Sequence, residues 1–167
     1  MPTLTPDPTP DPDATLPVRA GPRPRTTTTN PHSQLDQRPD PAALQTAIAA
    51  GLALSGVHAG PSLRAPPGTL GLFLAPEAAR GGRDAFLLGA EFAHFHPLPD
   101  GSLHMTLPPG LREAAIAAGW AEPHPLAGRP TVSPQTVMVY APRDPDEAGV
   151  IVRLVEASRT FAAGQSG

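Results

Sequence analysis

Apolar residues are sparse up to residue 39 and become periodic from residue 41 onward. Before that point prolines recur at Pro2, Pro6, Pro8, Pro10, Pro12 and Pro17, and Thr26 to Thr29 form a polar run. So little apolar side chain cannot offset the entropy of ordering, so residues 1–39 are expected to be a disordered Pro/Thr-rich leader. Asp40-Pro41 has the form of a helix start, with Asp as N-cap and Pro in the first turn. Leu44, Ile48 and Leu52 then repeat at helical spacing and predict a helix over 41–54, with Gly56 near its end. Leu70, Leu72 and Leu74 alternate, predicting a strand over 69–75 with Phe73 on the opposite face. Residues 62–65 read as another short strand after the turn at Gly60-Pro61, and 85–88 as a weaker one before Gly89.

The stretch Glu91-Phe92-Ala93-His94-Phe95-His96 is the most readable part of the chain. In an extended strand Phe92, His94 and His96 share one face, and Ala93 and Phe95 the other. Ser102, His104 and Thr106 share a face of the next strand, opposite Leu103, Met105 and Leu107. Asp100-Gly101 is a strong turn signal between them. Burying Phe95 with Leu103 and Met105 requires even-numbered residues to face even-numbered residues. His94, His96 and His104 then converge on one side, and a one-residue slip would mix the faces.

Pro108-Pro109 opens a second helix over 109–118, with Leu111, Ala115 and Ile116 inward and Gly119 as the C-terminal cap. A loop over 120–134 leads to a strand at Val137 to Tyr140. Asp144, Pro145 and Glu147 form a capping box for a last helix over 145–163, its buried stripe carrying Val150, Ile151, Leu154, Val155 and Phe161. The predicted fold is α+β over residues 40–164: a mainly antiparallel sheet with helices packed on one face and the histidines on the other.

Composition narrows the chemistry. The 167 residues carry a formal net charge of -3, which disfavours non-specific nucleic-acid binding. All 12 basic residues are Arg, so Schiff-base and lysine-base chemistry are excluded, and the absence of Cys excludes thiol nucleophiles and thiolate metal sites. No apolar run reaches membrane-spanning length and no signal pattern opens the chain, so a cytoplasmic protein with no membrane or nucleic-acid partner is expected. Ser62 and Ser102 lack the context of a hydrolase nucleophile.

The phrases GPSLRAPPG, EFAHFH, DGSLHMTLP, GWAEPHPLAG, MVYAPRD and EASRTFAAG occur in order, and together they resemble the luciferase-like domain family. The resemblance covers roughly 60–163 and is strongest over 91–163; it is to bacterial members and to the C-terminal half of the fungal luciferases. Those fungal enzymes oxidise 3-hydroxyhispidin with O2 and emit light. Glu91, His94, His96, His104, Trp120, His124, Tyr140, Pro142, Arg143 and Glu147 fall on shared motif positions. Departures at Pro99 and Glu122, and the missing apolar N-terminus of the fungal enzymes, lead us to expect a chemistry without luminescence. The resemblance implies a small-molecule ligand and an O2-dependent oxidation of an enolic or phenolic substrate, with no cofactor.

The residues support two enzymatic readings. In the first, His94, His96, His104 and His124 form a pocket for acid–base work. Arg143 would hold the anion formed, Glu91 or Asp100 would orient an imidazole, and Glu91, Trp120 and Tyr140 would contact substrate. In the second, His94, His96 and His104 bind zinc or iron, as His-x-His with a third His on a neighbouring strand suits a tetrahedral ion. The spacing His94-x-His96-x-x-x-Asp100 faintly echoes a cupin metal motif. A third possibility is ligand binding without catalysis. His32, in the leader, and His58, in a turn, are expected to be incidental.

Overall fold

The structure is a computed structural model and describes residues 15–165. Six strands form one sheet in the order β1-β2-β3-β4-β6-β5, with every neighbouring pair antiparallel. The strands are β1 (Val57–Pro61), β2 (Leu70–Leu74), β3 (Glu91–Phe95), β4 (Leu103–Thr106), β5 (Ala121–Pro123) and β6 (Thr136–Val139). Helices α1 (Pro41–Leu52) and α3 (Pro145–Ala162) pack together, α1 against β1 and α3 against β3 and β4, while α2 (Pro109–Ala117) lies beside β5. The fold is therefore α+β, as the periodicities required. No helix among the described residues is long and apolar enough to cross a membrane.

The helix starts follow from their caps. Asp40 accepts a hydrogen bond from the Ala43 amide, and Asp144 accepts one from the Glu147 amide, each satisfying an otherwise unpaired N–H of the first turn. In α3, Val150, Ile151, Leu154 and Val155 are buried as predicted, with Phe161 half-buried. In α1 the buried face is Ala43, Leu44, Ala47 and Gly51, so Leu52 is left at the surface. Small residues dominate this face because α1 lies close to both α3 and the sheet: a Cβ on Gly51 would lie 3.5 Å from Val155 of α3 and 3.1 Å from Leu72 of β2. The core beneath them is built from Leu72, Ala93, Phe95, Leu103, Met105, Val137 and Val139 on one face of the sheet.

Register across the central hairpin is even to even: His94 faces His104, Ala93 faces Met105 and Phe95 faces Leu103. Between β2 and β3 it breaks, since Leu72 pairs with Ala93 but Phe73 pairs with Glu91. One extra residue in β3 forms a bulge, which inverts the facing pattern upstream of it. Phe92 consequently joins the hydrophobic core, correcting its expected place beside His94 and His96. Glu91 is turned instead to His94, with Oε1 2.9 Å from Nδ1.

Four other expectations need correction. Residues 62–65 are a bend and not a strand; the strand lies just before, at β1, where His58 stacks on Phe73. Residues 83–85 form a short 3₁₀ turn in place of the expected strand start, and the loop after Gly119 contains edge strand β5. The fourth concerns the leader. Residues 1–14 lie outside the described residues, but residues 15–39 lie along the domain as irregular chain, folded back on itself at an antiparallel bridge between Thr26 and Gln34. Leu16 is buried in the core, the Arg19 amide donates to the Ala118 carbonyl, and Pro17 accepts from the Trp120 indole N–H. Arg19 itself is buried over the Tyr140 ring, with Nε 3.6 Å from Glu147. The segment contributes few apolar side chains, and its polar groups find partners on the domain.

Gly101 closes the hairpin turn at φ +68, and a Cβ there would sit 2.6 Å from Pro39. Gly101→Ala is expected to cost about 1–3 kcal/mol of stability, the usual cost of a left-handed conformation for a side chain together with the clash. Urea unfolding checks this, and an unchanged midpoint would contradict it.

Candidate functional site

The antiparallel register sets the site. On the face opposite the core, His94 on β3, His104 on β4, Met138 on β6 and Glu122 on β5 are successive lateral neighbours. His32, from the segment that crosses this face, spans the gap above Met138. Its Nδ1 lies 2.9 Å from His104 Nε2 and its Nε2 lies 2.6 Å from Glu122 Oε1. On the other side, His94 Nε2 lies 3.0 Å from His104 Nδ1. A continuous chain of hydrogen-bond contacts therefore runs Glu91–His94–His104–His32–Glu122.

Both ends are carboxylates held in their charged form. Glu91 is fully buried, which favours the neutral acid, but hydrogen bonds from His94, Ser62 and the Leu63 amide hold it below the usual carboxyl value. Burial likewise opposes ionisation of Glu122, and hydrogen bonds from His32, Thr26 and Tyr140 outweigh it. His96 stands beside this chain: its Nδ1 lies 2.9 Å from Ser102 Oγ, whose own proton goes to Asp100. Burial raises Asp100 and the hydrogen bonds from His96 and Ser102 lower it, with a net shift downward.

Three of the imidazoles, His94, His104 and His124, are pushed towards neutrality. Burial holds His94 below its ordinary value despite Glu91. It holds His104 well below, and the neighbouring His94, His96, His124 and His32 add to the effect. His124 reaches the same site from the loop after β5, its ring 4.9 Å from that of His104. Its Nδ1 accepts a hydrogen bond from the Leu126 amide, so its proton is on Nε2.

These rings form the floor of a cavity of about 370 Å³. Leu87, Leu126 and Val132 supply apolar wall, and Arg64 supplies positive charge. Thr69 and Thr136 also line it, and both hydroxyls are buried without a hydrogen-bond partner. One nitrogen from each of His94, His96 and His104 lies within 4.8 Å of the others, and the same holds for His32, His104 and His124.

The structure thus brings together His94, His96, His104 and His124 at one cavity. It places the other predicted residues elsewhere. Arg143 does not line the cavity; its guanidinium is bound to Glu147 at 2.5 Å and to the Ala20 carbonyl. The i,i+4 spacing across the start of α3 makes that ion pair local. Trp120 is buried in the core under Pro17, so it does not contact the cavity. Glu91 and Tyr140 reach the site only through His94 and Glu122. Burial raises the Tyr140 hydroxyl to about 12, so it stays protonated and donates to Glu122. His32, expected to be incidental, instead sits between His104 and Glu122, and the sequence gives no sign of Arg64, Thr69 or Thr136. His32 lies in sequence that carries no periodic signal, and the rest are ordinary loop and strand residues whose neighbours are set by the fold.

Residues 89–158 match the luciferase domain family. The chain carries a luciferase-like domain. Within this region it is 39% identical over 70 residues to a luciferase of Armillaria ostoyae, an alignment covering 41% of this chain and 26% of the relative. It is 40% identical, over the same length and shares, to a luciferase of Neonothopanus nambi. The chain therefore spans about a quarter of the length of the curated relatives it matches. No solved structure matches it. The matched region of the luciferase-like domain begins just before β3 and ends within α3, so it includes His94, His96, His104 and His124 but neither His32 nor Arg64.

The depressed value of His124, about 4 against 6.5, has a consequence for stability; burial is its main cause and His32 the next. Between those values the unfolded chain binds the proton and the folded chain does not, so stability falls as pH drops through this window. Thermal melts between pH 7 and pH 5 should show a falling Tm, and His124→Gln should flatten the trend. Identical slopes for both proteins would contradict this.

Proposed function

We propose that the luciferase-like domain is an enzyme that oxidises a small enolic or phenolic molecule with O2 in the cavity over the histidines, without light emission. The observation that carries this reading is the cavity's make-up: a floor of imidazoles on which burial holds His94, His104 and His124 towards the neutral form, apolar walls, and two buried hydroxyls, Thr69 and Thr136, that lack partners. A flat molecule with hydroxyl and carbonyl groups satisfies both the walls and the threonines. A neutral imidazole accepts the hydroxyl proton, and the resulting anion is electron-rich enough to reduce O2, which is the oxidant. Arg64, not Arg143, is the cation available to the anion. Similarity to proteins named luciferase over residues 89–158 supports an oxidation, while the small share of those relatives that is covered leaves their substrate with them.

A second reading, a zinc or iron enzyme on His94, His96 and His104, is favoured by one observation. The outward nitrogens of His94 and His96 are each engaged by a carboxylate or a carboxylate-bound serine, the usual support of metal-bound imidazole.

Oxygen consumption with a panel of phenols and hydroxypyrones tests the first reading. Turnover should appear with at least one class, and both His94→Ala and His104→Ala should reduce it by roughly 10²-fold or more while circular dichroism stays native. Arg64→Ala should raise KM more than it lowers kcat. Undiminished turnover in both histidine variants would overturn the assignment.

A further inference from the structure

With one proton on each imidazole, the hydrogen-bond chain across the sheet is one proton short of its contacts. Its four contacts are Glu91–His94, His94–His104, His104–His32 and His32–Glu122. Each contact needs one proton, and three neutral imidazoles carry one each. Glu91 accepts from Ser62 and the Leu63 amide, and Glu122 accepts from Thr26 and Tyr140, so both are ionised acceptors. This fixes the proton of His94 on Nδ1 and that of His32 on Nε2. The single proton of His104 then serves either His94 or His32. At the contact it does not serve, two bare lone pairs face each other at about 3 Å.

The surroundings decide which contact that is. If the His104 proton lies on Nε2, it serves His32 Nδ1, and the bare pair is His94 Nε2 with His104 Nδ1. His96 is the third member of that group. Ser102 gives its proton to Asp100, so Ser102 Oγ accepts from His96 Nδ1, which leaves Nε2 of His96 as a further bare lone pair. If the His104 proton lies on Nδ1, the bare pair is His104 Nε2 with His32 Nδ1. The third member there is His124, whose Nδ1 accepts from the Leu126 amide and whose Nε2 therefore carries hydrogen. The first group holds three lone pairs and the second only two.

We propose that His94 Nε2, His96 Nε2 and His104 Nδ1 bind one divalent transition-metal ion at the cavity floor, with His32 and Glu122 as outer support through His104 Nε2. The ion takes the place of the missing proton. Every remaining hydrogen bond is then satisfied by a neutral imidazole: His94 to Glu91, His96 to Ser102, His104 to His32, and His32 to Glu122. Three imidazoles suit zinc, iron or copper, and the cavity above leaves open coordination positions for a substrate oxygen. The inference deepens the second reading above, and assigns to residues 15–39 a part in the site: they deliver the outer ligand support of His104.

The test is metal uptake by the full chain, prepared without a histidine tag. Apo-protein is titrated separately with Zn(II) and, anaerobically, with Fe(II), dialysed and assayed for bound metal; Co(II) gives an independent visible spectrum. One equivalent per chain is expected, and the ion retained tells zinc from iron. His96→Gln should abolish uptake. His124→Gln should keep one equivalent at wild-type affinity. His32→Gln should also keep one equivalent, with affinity lowered roughly 10–100-fold, the usual effect of losing outer support. Thermal melts of each apo variant confirm folding. No uptake by the wild-type chain would overturn the proposal. So would loss of uptake in His124→Gln or His32→Gln with a native melt, because the ion would then sit in the other group. Oxygen consumption by a chain that takes up no metal would leave the oxidation standing and remove this site; metal bound tightly with no oxygen consumption on any substrate would do the reverse.

Discussion

Burying His104 between two other imidazoles is the constraint on which the site depends. An imidazole taken out of water must have both nitrogens satisfied, because an unpaired buried polar group costs about 1–3 kcal/mol. His104 has no carboxylate of its own, and its partners are His94 on one side and His32 on the other. Those two are each anchored by a buried or half-buried glutamate, and each glutamate is saturated by hydroxyl and amide donors. A polar row is thus laid across an otherwise closed sheet, and its ends are tied to fixed charges. Partly satisfied networks of this kind are unstable, so the surplus of acceptors at its centre is a chemical demand for a proton or a cation.

Two backbone features make the row possible. The even register of β3 with β4 is enforced by Phe95, Leu103 and Met105, which must reach the core under α3. The bulge at the start of β3 then turns Glu91 onto the histidine face and sends Phe92 to the core. Without the extra residue, strict alternation would place Phe92 beside His94 and leave that imidazole without its carboxylate. Strand bulges next to functional sites commonly re-aim a side chain in this way.

The segment before α1 follows a different logic from the rest of the chain. It brings little apolar surface, but it is held by polar contacts to fixed points of the domain: Arg19 to Glu147, Gln34 to the Asp100 carboxylate and the Ala141 amide, and His32 to the histidine row. A local pattern of hydrophobicity carries none of this, because the partners lie far away in sequence, 107 residues apart for Gln34 and Ala141. That is why residues 15–39 read as a leader, and why His32 reads as incidental.

The sequence by itself determined the elements with strong period and clear caps: α1, α3 and the β3–β4 hairpin, and with that hairpin the convergence of His94, His96 and His104. The physical reason is that burial of one face forces a period, and the turn at Asp100-Gly101 forces the register. Only the tertiary structure decided what those histidines meet. It removed Arg143 to a local ion pair with Glu147 and placed Trp120 in the core, and it brought in His32, Arg64, Thr69 and Thr136. Such neighbours come from loops, from a bulge and from an aperiodic segment, where position follows from packing and long-range hydrogen bonds and leaves no repeat along the chain.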